Sequence, residues 1–419
     1  MAGAGVRKSG AYDPAGGISS ASQPRSSPAA AVRGRTWSSQ RRWTRSAVPE
    51  RSSRKLLTTC HIGETANRIR ARSPAGRASS AIAAPVPRGF GHPRIGGRHC
   101  SGPPIIPGMT SQTITAAAAG SWTLGDLTVR RIGFGAMRLA QTGPALVPGA
   151  VPRDRAQALG VLRRAVELGV NHIDTAAFYF SPLRSANELI NRALAPYPED
   201  LVIATKVGQP RDPSGAWLPH AGPDRLRGLV EENLRQLGRD HLDLVNLRVV
   251  GAGPIAERFG ALAELRTAGL VRHLGLSNVL PHHLAEAQAI APVVCVQNMY
   301  GLGVRPEQDA FVGLCRARGV AFVPFYAIAA DGRQHGAAGQ REHPAVVEVA
   351  RAHGVSPAQV RIAWTLHRGP HVLAIPGTGD PAHLAANVAA GALRLSAAEL
   401  DRLDALHRAG AGAGAGSES

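Results

Sequence analysis

"GVNHIDTAAFYFSPLRSANELINRALAPYPEDLVIATKVG", residues 169–208, is the stretch that decides the fold. It opens on a short apolar run, "VNHID". It passes through an amphipathic helical segment at 184–194 and returns to a second β-rich run, "LVIATK". Strand, helix and strand in about forty residues read as a right-handed βαβ unit with parallel strands.

The alternation continues on both sides. Upstream, "WTLGDLTVRRIGFGAM" carries a turn signal at Gly125-Asp126 and reads as a hairpin leading into a first strand, followed by a helix over 153–168. Downstream come the strands "LDLVNL", "VRHLGLS", "VVCVQN", "VAFVPF" and "HVLAIP". Between and after them the spacing predicts helices over 223–237, 254–268, 281–290, 306–318, 342–353, 357–367, 381–390 and 396–408, the last behind Ser396 as N-cap. Eight strands, each followed by a helix, in about 290 residues fit an α/β (β/α)8 TIM barrel with an N-terminal β-hairpin. A doubly wound sheet is the runner-up.

The flanks differ in kind. Residues 1–108 hold 18 Lys/Arg against 3 Asp/Glu, while the rest of the chain holds 30 against 26. The high positive charge therefore belongs to the first quarter and is no nucleic-acid footprint of the barrel. That quarter is rich in Arg, Ser, Gly and Pro and reads as a disordered basic extension. The favoured reading is leader sequence upstream of a start at Met109; a transit peptide and a nucleic-acid-binding tail are the alternatives. Residues 109–408 are expected to form the barrel and 409–419 a flexible Gly/Ala tail. No run of 18 apolar residues predicts a membrane span. Cys60, Cys100, Cys295 and Cys315 show no CxxC spacing, which fits reduced thiols in a cytoplasmic protein. Nothing in the sequence gives the oligomeric state.

In a (β/α)8 barrel the functional side chains stand where strands end. Here the second strand ends in Asp174 with Tyr179 just beyond, the third in Lys206 and the fourth in Arg248. A buried lysine is costly unless paired, and Asp174 is one strand away. A cation held there would lower the phenol pKa of Tyr179 from about 10 and make it a proton donor to a carbonyl oxygen. Such a donor needs a hydride partner, which proteins take from a nicotinamide. Ser277, Asn278 and Gln297 suit its carboxamide, Tyr300 its ring, and Gly377-Thr378, opening a helix, a phosphate.

With these residues in place, residues 120–410 resemble the aldo-keto reductases, and within them a bacterial branch of pyridoxal reductases. The motifs are "IGFGAMRL", "GVNHIDTAAFY", "IATKVG", "LGLSN", "VCVQNMY" and "LAIPGT". The resemblance implies a TIM barrel, NADPH as usual cofactor with NADH as the alternative, a small carbonyl substrate and no metal. It implies a catalytic role for Asp174, Tyr179 and Lys206, and an adenine contact for Asn387.

Two departures stand out. The family's fourth-strand histidine is replaced by Arg248, expected to grip an anionic oxygen beside the substrate carbonyl; a rim arginine paired with a carboxylate is the plain alternative. The arginine common near the adenosine is Ala385, and Asp380 would repel a phosphate if it pointed inward. Glu188 is a weaker candidate for the adenine. "GAGPIA" at 251–256 imitates a dinucleotide fingerprint after the wrong strand, and Pro254 is expected to start a helix there. His282, His283, His367 and His371 lack ligand spacing. The expected function is reduction of an aldehyde, with a cofactor-binding sensor on the same fold as the alternative.

Overall fold

The structure is a computed structural model and describes residues 113–328 and 342–409. The expectations for residues 1–108 and for the C-terminal tail lie outside the described residues, apart from Ala409. Seven parallel strands form one sheet in chain order: Phe134–Gly135, His172–Asp174, Val202–Val207, Leu242–Arg248, Val271–Ser277, Val293–Gln297 and Ala321–Phe322. The predicted eighth strand closes the ring through single bridges. Val372 pairs with Phe322 on one side and Ala374 with Ile132 on the other, both parallel. A short backbone ladder supports each seam, such as Gly133 N to Ala374 O at 2.8 Å and Leu373 N to Phe322 O at 2.9 Å. The eight-stranded barrel is thus present, with its last strand held by single bridges on each side.

The helices among the described residues are α1 Arg155–Glu167, α2 Ala186–Leu194, α3 Pro223–Leu237, α4 Ala256–Thr267, α5 Pro281–Gln288, α6 Asp309–Ala317, α7 Pro344–His353, α8 Pro357–His367, α9 Pro381–Ala389 and α10 Ala397–Ala409. Local chemistry sets their ends. Asp154 accepts from Gln157 N to start α1, Ser356 and Gln359 form a capping box before α8, and Gly238 at φ 63° stops α3. Pro254 lies two residues before α4, whose N-cap is Ile255.

Strand parity splits the core in two. Val202, Ala204, Leu244, Cys295, Ala321, Val323 and Leu373 face the barrel interior in one cluster. Their neighbours Ile203, Val245, Val296 and Phe322 face the helices in the other. The hairpin Ser121–Leu124 and Leu127–Arg130 adds Leu124 and Val129, both fully buried, to the interior cluster and so plugs one end. Following the same parity to the other end leads from apolar to polar. Val202 and Ala204 are succeeded by Lys206, Leu244 by Asn246 and Arg248, and Cys295 by Gln297. Register places Arg248 beside Ser277 and Ser277 beside Gln297 on that rim. Cys295 and Cys315 are both buried and free.

Candidate active site

The rim encloses a cavity of about 500 Å³ lined by Asp174, Tyr179, Lys206, Arg248, Ser277, Asn278, Gln297 and Gly377, among others. Eight of the eleven residues expected from sequence therefore meet in one place. Lys206 is the hub. Its Nζ donates to Asp174 Oδ1 at 2.6 Å, to Asp174 Oδ2 at 2.8 Å and to Thr175 O at 3.1 Å. Both side chains of the pair are 4% exposed, so neither charge could be left alone without a penalty of several kcal/mol. The ammonium sits 4.9 Å from the centroid of the Tyr179 ring.

The electrostatics differ from expectation at one point. Burial pushes the Tyr179 phenol up, and Lys206 only partly opposes it, so the net direction is above 10.0 and not below. The main physical reason is desolvation of the buried phenol, and Asp174 adds a smaller repulsion of a tyrosinate. For Lys206 burial acts downward, but Asp174 and Tyr179 together outweigh it and raise the ammonium pKa. The lysine therefore stays charged. His172, two residues before Asp174 on the same strand, is driven by burial down to about 4 and is neutral.

Gln297 donates through Nε2 to Asp174 Oδ2 at 2.8 Å. A carboxylate can only accept, so the amide orientation is forced. Its Oε1 is then buried with no partner among the described residues. An orphaned acceptor at a cavity wall calls for a donor from a ligand. Asn278, at φ 58°, anchors the next loop through Nδ2 to Val249 O at 2.8 Å.

Arg248 hydrogen-bonds through Nη1 to Gln209 Oε1. Its guanidinium lies 4.6 Å from the ring of Trp217 and 5.8 Å from that of Phe178. Burial draws its pKa down, yet an arginine remains charged at neutral pH. No carboxylate pairs with it among the described residues.

Three expected residues do not line the cavity. Tyr300 is fully buried elsewhere: its hydroxyl donates to Asp309 Oδ1 at 2.6 Å and its ring packs against Trp364, Phe322 and His407. Tyr326, in the loop after the seventh strand and with a φ of 66°, lines the cavity instead, together with Phe178, Tyr179 and Phe325. Thr378 turns its hydroxyl to Asp380 N at 3.0 Å, and Asn387 is buried on α9. Asp380 points its carboxylate at Ala382 N and His383 N, at 2.7 and 3.1 Å. It thereby occupies the first amides of α9, so the helix terminus is already capped by an anion. Gly377 has a structural reason too, because a Cβ there would overlap Gly135 O where the first and last strands meet.

Sequence reading missed the support behind the site. Thr175 Oγ1 donates to Asn187 Oδ1 at 2.8 Å, Asn187 Nδ2 to Asn233 Oδ1 at 2.9 Å, and Thr205 Oγ1 to Asn233 Oδ1 at 2.6 Å. This buried chain ties the second and third strands to α2 and α3. The only signal in the sequence is an asparagine on the apolar face of each helix. The paired histidines serve the fourth loop: His282 and His283 reach Ala252 O and Gly253 O through Nε2. Glu188 borders a separate cleft beside α2, with Arg155, Arg184 and Arg192.

A parallel barrel with an Asp–Lys–Tyr cluster on its strand-end rim defines a carbonyl-reductase type of site. The aldo/keto reductase family model matches residues 131–408, and the chain belongs to that family. It is accordingly an NAD(P)H-dependent oxidoreductase. The chain is 44% identical over 298 residues to pyridoxine 4-dehydrogenase of Escherichia coli (strain K12), covering 70% of this chain and 99% of that protein. It is 36% identical over 297 residues to an uncharacterized oxidoreductase of Schizosaccharomyces pombe, covering 70% and 92%. Among solved structures it is similar to an aldo-keto reductase from Klebsiella pneumoniae in complex with NADPH, at 27% identity and a TM-score of 0.58 over 68% of this chain and 94% of that one. Among the described residues no helix is long and apolar enough to cross a membrane.

Proposed function

We propose that this protein reduces pyridoxal, a planar aldehyde with an ionisable ring oxygen beside the carbonyl, and that Tyr179 delivers the proton. The observation that carries the reading is the charged Lys206, clamped by Asp174 and set under Tyr179 at the cavity wall. The dehydrogenase of similar sequence, named for pyridoxine, supports the choice of substrate.

NADP(H) is the cofactor, and when bound it supplies the hydride. The unpartnered Oε1 of Gln297 fits the N–H of a carboxamide, with Ser277 and Asn278 beside it. Tyr326 takes the stacking role first expected of Tyr300. With its pKa above 10.0, Tyr179 is fully protonated at neutral pH, as a donor must be. Once the proton has left, Lys206 is the cation that stabilises the tyrosinate. Arg248 holds the ring oxygen next to the aldehyde, and Phe178 offers the ring an apolar face at the cavity wall.

The loss of a basic residue at Ala385 is offset from another loop. The Arg153 guanidinium lies so close to Gly379 that a Cβ there would overlap it. That places a cation beside the eighth loop, where the phosphates of the cofactor are expected.

The test follows NADPH oxidation by pyridoxal and by 4-nitrobenzaldehyde, with wild-type and Arg248→His protein. The expected result is turnover of both by the wild type and a selective loss of pyridoxal turnover in the variant. Equal loss for both aldehydes would reject the grip on the ring oxygen. Turnover of nitrobenzaldehyde alone would reject pyridoxal.

A further inference from the structure

Arg211 is a buried cation that the reaction outlined above does not use. Its residue exposure is 8%, and no carboxylate pairs with it among the described residues. Its hydrogen bonds go to four backbone carbonyls on three loops. Nε donates to Gly215 O at 2.8 Å, Nη1 to Phe178 O at 3.1 Å and Phe180 O at 3.3 Å, and Nη2 to Val147 O at 3.1 Å. The two carbonyls reached by Nη1 belong to the residues immediately before and after Tyr179. The guanidinium also lies 4.6 Å from the Phe180 ring and 5.8 Å from that of Trp217.

The loop that carries Arg211 is held rigid by its own bonds. Asp212 accepts from Ser214 Oγ at 2.6 Å and from Ala216 N at 3.0 Å, and Arg211 bridges Trp217 in antiparallel fashion. Gly215 sits at φ +93°, and a Cβ there would come 2.6 Å from Arg211 Nη2. The planar five-donor fork of arginine suits this task, and the single ammonium of lysine cannot reach all three loops.

We propose that Arg211 is a positioning residue: it fixes the backbone on both sides of Tyr179 and so sets where the phenol stands relative to the substrate oxygen. The proposal rests on Tyr179 being the proton donor. A displacement of about 1 Å at a reacting group can cost about 100-fold in rate, which sets the scale of the effect.

The experiment is a double-mutant cycle of Arg211→Met and Tyr179→Phe, with pyridoxal and NADPH in single-turnover reduction, and with the melting temperature and NADPH affinity of each variant recorded. Arg211→Met is expected to lose about 100-fold in turnover, to keep NADPH affinity within about two-fold, and to recover part of the loss on adding free guanidinium but not urea. In the Tyr179→Phe background the same substitution is expected to cost less than about three-fold, because a misplaced phenol and a missing one are equivalent. Independent, multiplying losses would overturn the proposal. Should Arg211→Met not fold, Arg211→Lys and Gly215→Ala are read instead: reduced turnover with NADPH affinity kept supports the role, and wild-type turnover overturns it. Tyr179→Phe inactive with Arg211→Met unimpaired removes the positioning claim alone. Tyr179→Phe fully active removes the donor assignment and the positioning claim with it.

Discussion

The two ends of the barrel are built on the same strands and do opposite work. At the hairpin end the inward positions are Val202, Ala204, Leu244, Ala321 and Leu373, closed off by Leu124 and Val129. At the other end the same faces present Lys206, Arg248 and Gln297 around a cavity of about 500 Å³. The change takes one step of strand parity. An apolar end can pack without loss, so it is where stability accumulates. The polar end must hold buried charge, so Lys206 and Asp174 are paired, while some polar atoms there are left without a partner among the described residues. Gln297 Oε1 is the clearest case.

The contrast makes distinct demands on mutants. Lys206→Met at the polar end removes the cation beneath Tyr179. It is expected to lower turnover of the folded protein by about 10²- to 10⁴-fold, in the range of a general-acid contribution, and to lower the melting temperature as well, because Asp174 is left buried without its partner. Kinetics and thermal melts together check this, and a folded variant with near-normal turnover would break the contrast. Leu124→Ala at the plugged end is expected to affect stability alone. It costs about 2–5 kcal/mol of stability by opening a cavity, while turnover of the folded fraction stays within about two-fold. Denaturant titration reads the first and active-site-normalised rates the second. Arg153→Ala sharpens the comparison on the cofactor side: affinity for NADPH is expected to fall about ten-fold with NADH changed less, measured by fluorescence titration. Equal changes would show that the cation serves a phosphate common to both. The smallest effect belongs to Asp126→Asn. This exposed hairpin residue pairs with Arg272 at 2.6 Å and with His273 at 2.5 Å, and because surface ion pairs contribute little, thermal melts are expected to shift hardly at all.

The pH dependence follows from the direction of the Tyr179 shift. The proton transfer proposed for Tyr179 needs the protonated phenol, which predominates below its pKa. Because burial places that pKa above 10.0, the rate of hydride transfer is expected to be flat through neutral pH and to fall only above about pH 10. A fall centred below pH 9 would mean that Lys206 outweighs burial, as the sequence alone suggested.

The barrel was legible because strand and helix alternate with distinct periods, and the rim was legible because several strands end in a charged or amide side chain after a mainly apolar run. Asp174, Lys206, Arg248 and Gln297 are of that kind. Tyr300 was misplaced because "QNMY" extends past the strand, where the chain no longer alternates and sequence cannot say which ring turns inward. Tyr326 emerged only once the left-handed turn of the loop after the seventh strand was visible. Trp217 and Arg211 come from a loop whose shape depends on its own turn, and Asn187 and Asn233 look like ordinary helix residues until α2 and α3 are brought together. The direction of the Tyr179 shift could not be read at all, because it is a balance between burial and two opposite charges.

The most direct test of a polar end that does chemistry through Tyr179 is single-turnover reduction of pyridoxal by Tyr179→Phe beside wild type, with NADPH affinity measured on the same samples. The expected result is a loss of at least about 10²-fold in hydride-transfer rate with NADPH affinity unchanged within about two-fold. A loss of less than about three-fold, with the cofactor still bound, would contradict the assignment of Tyr179 as the proton donor.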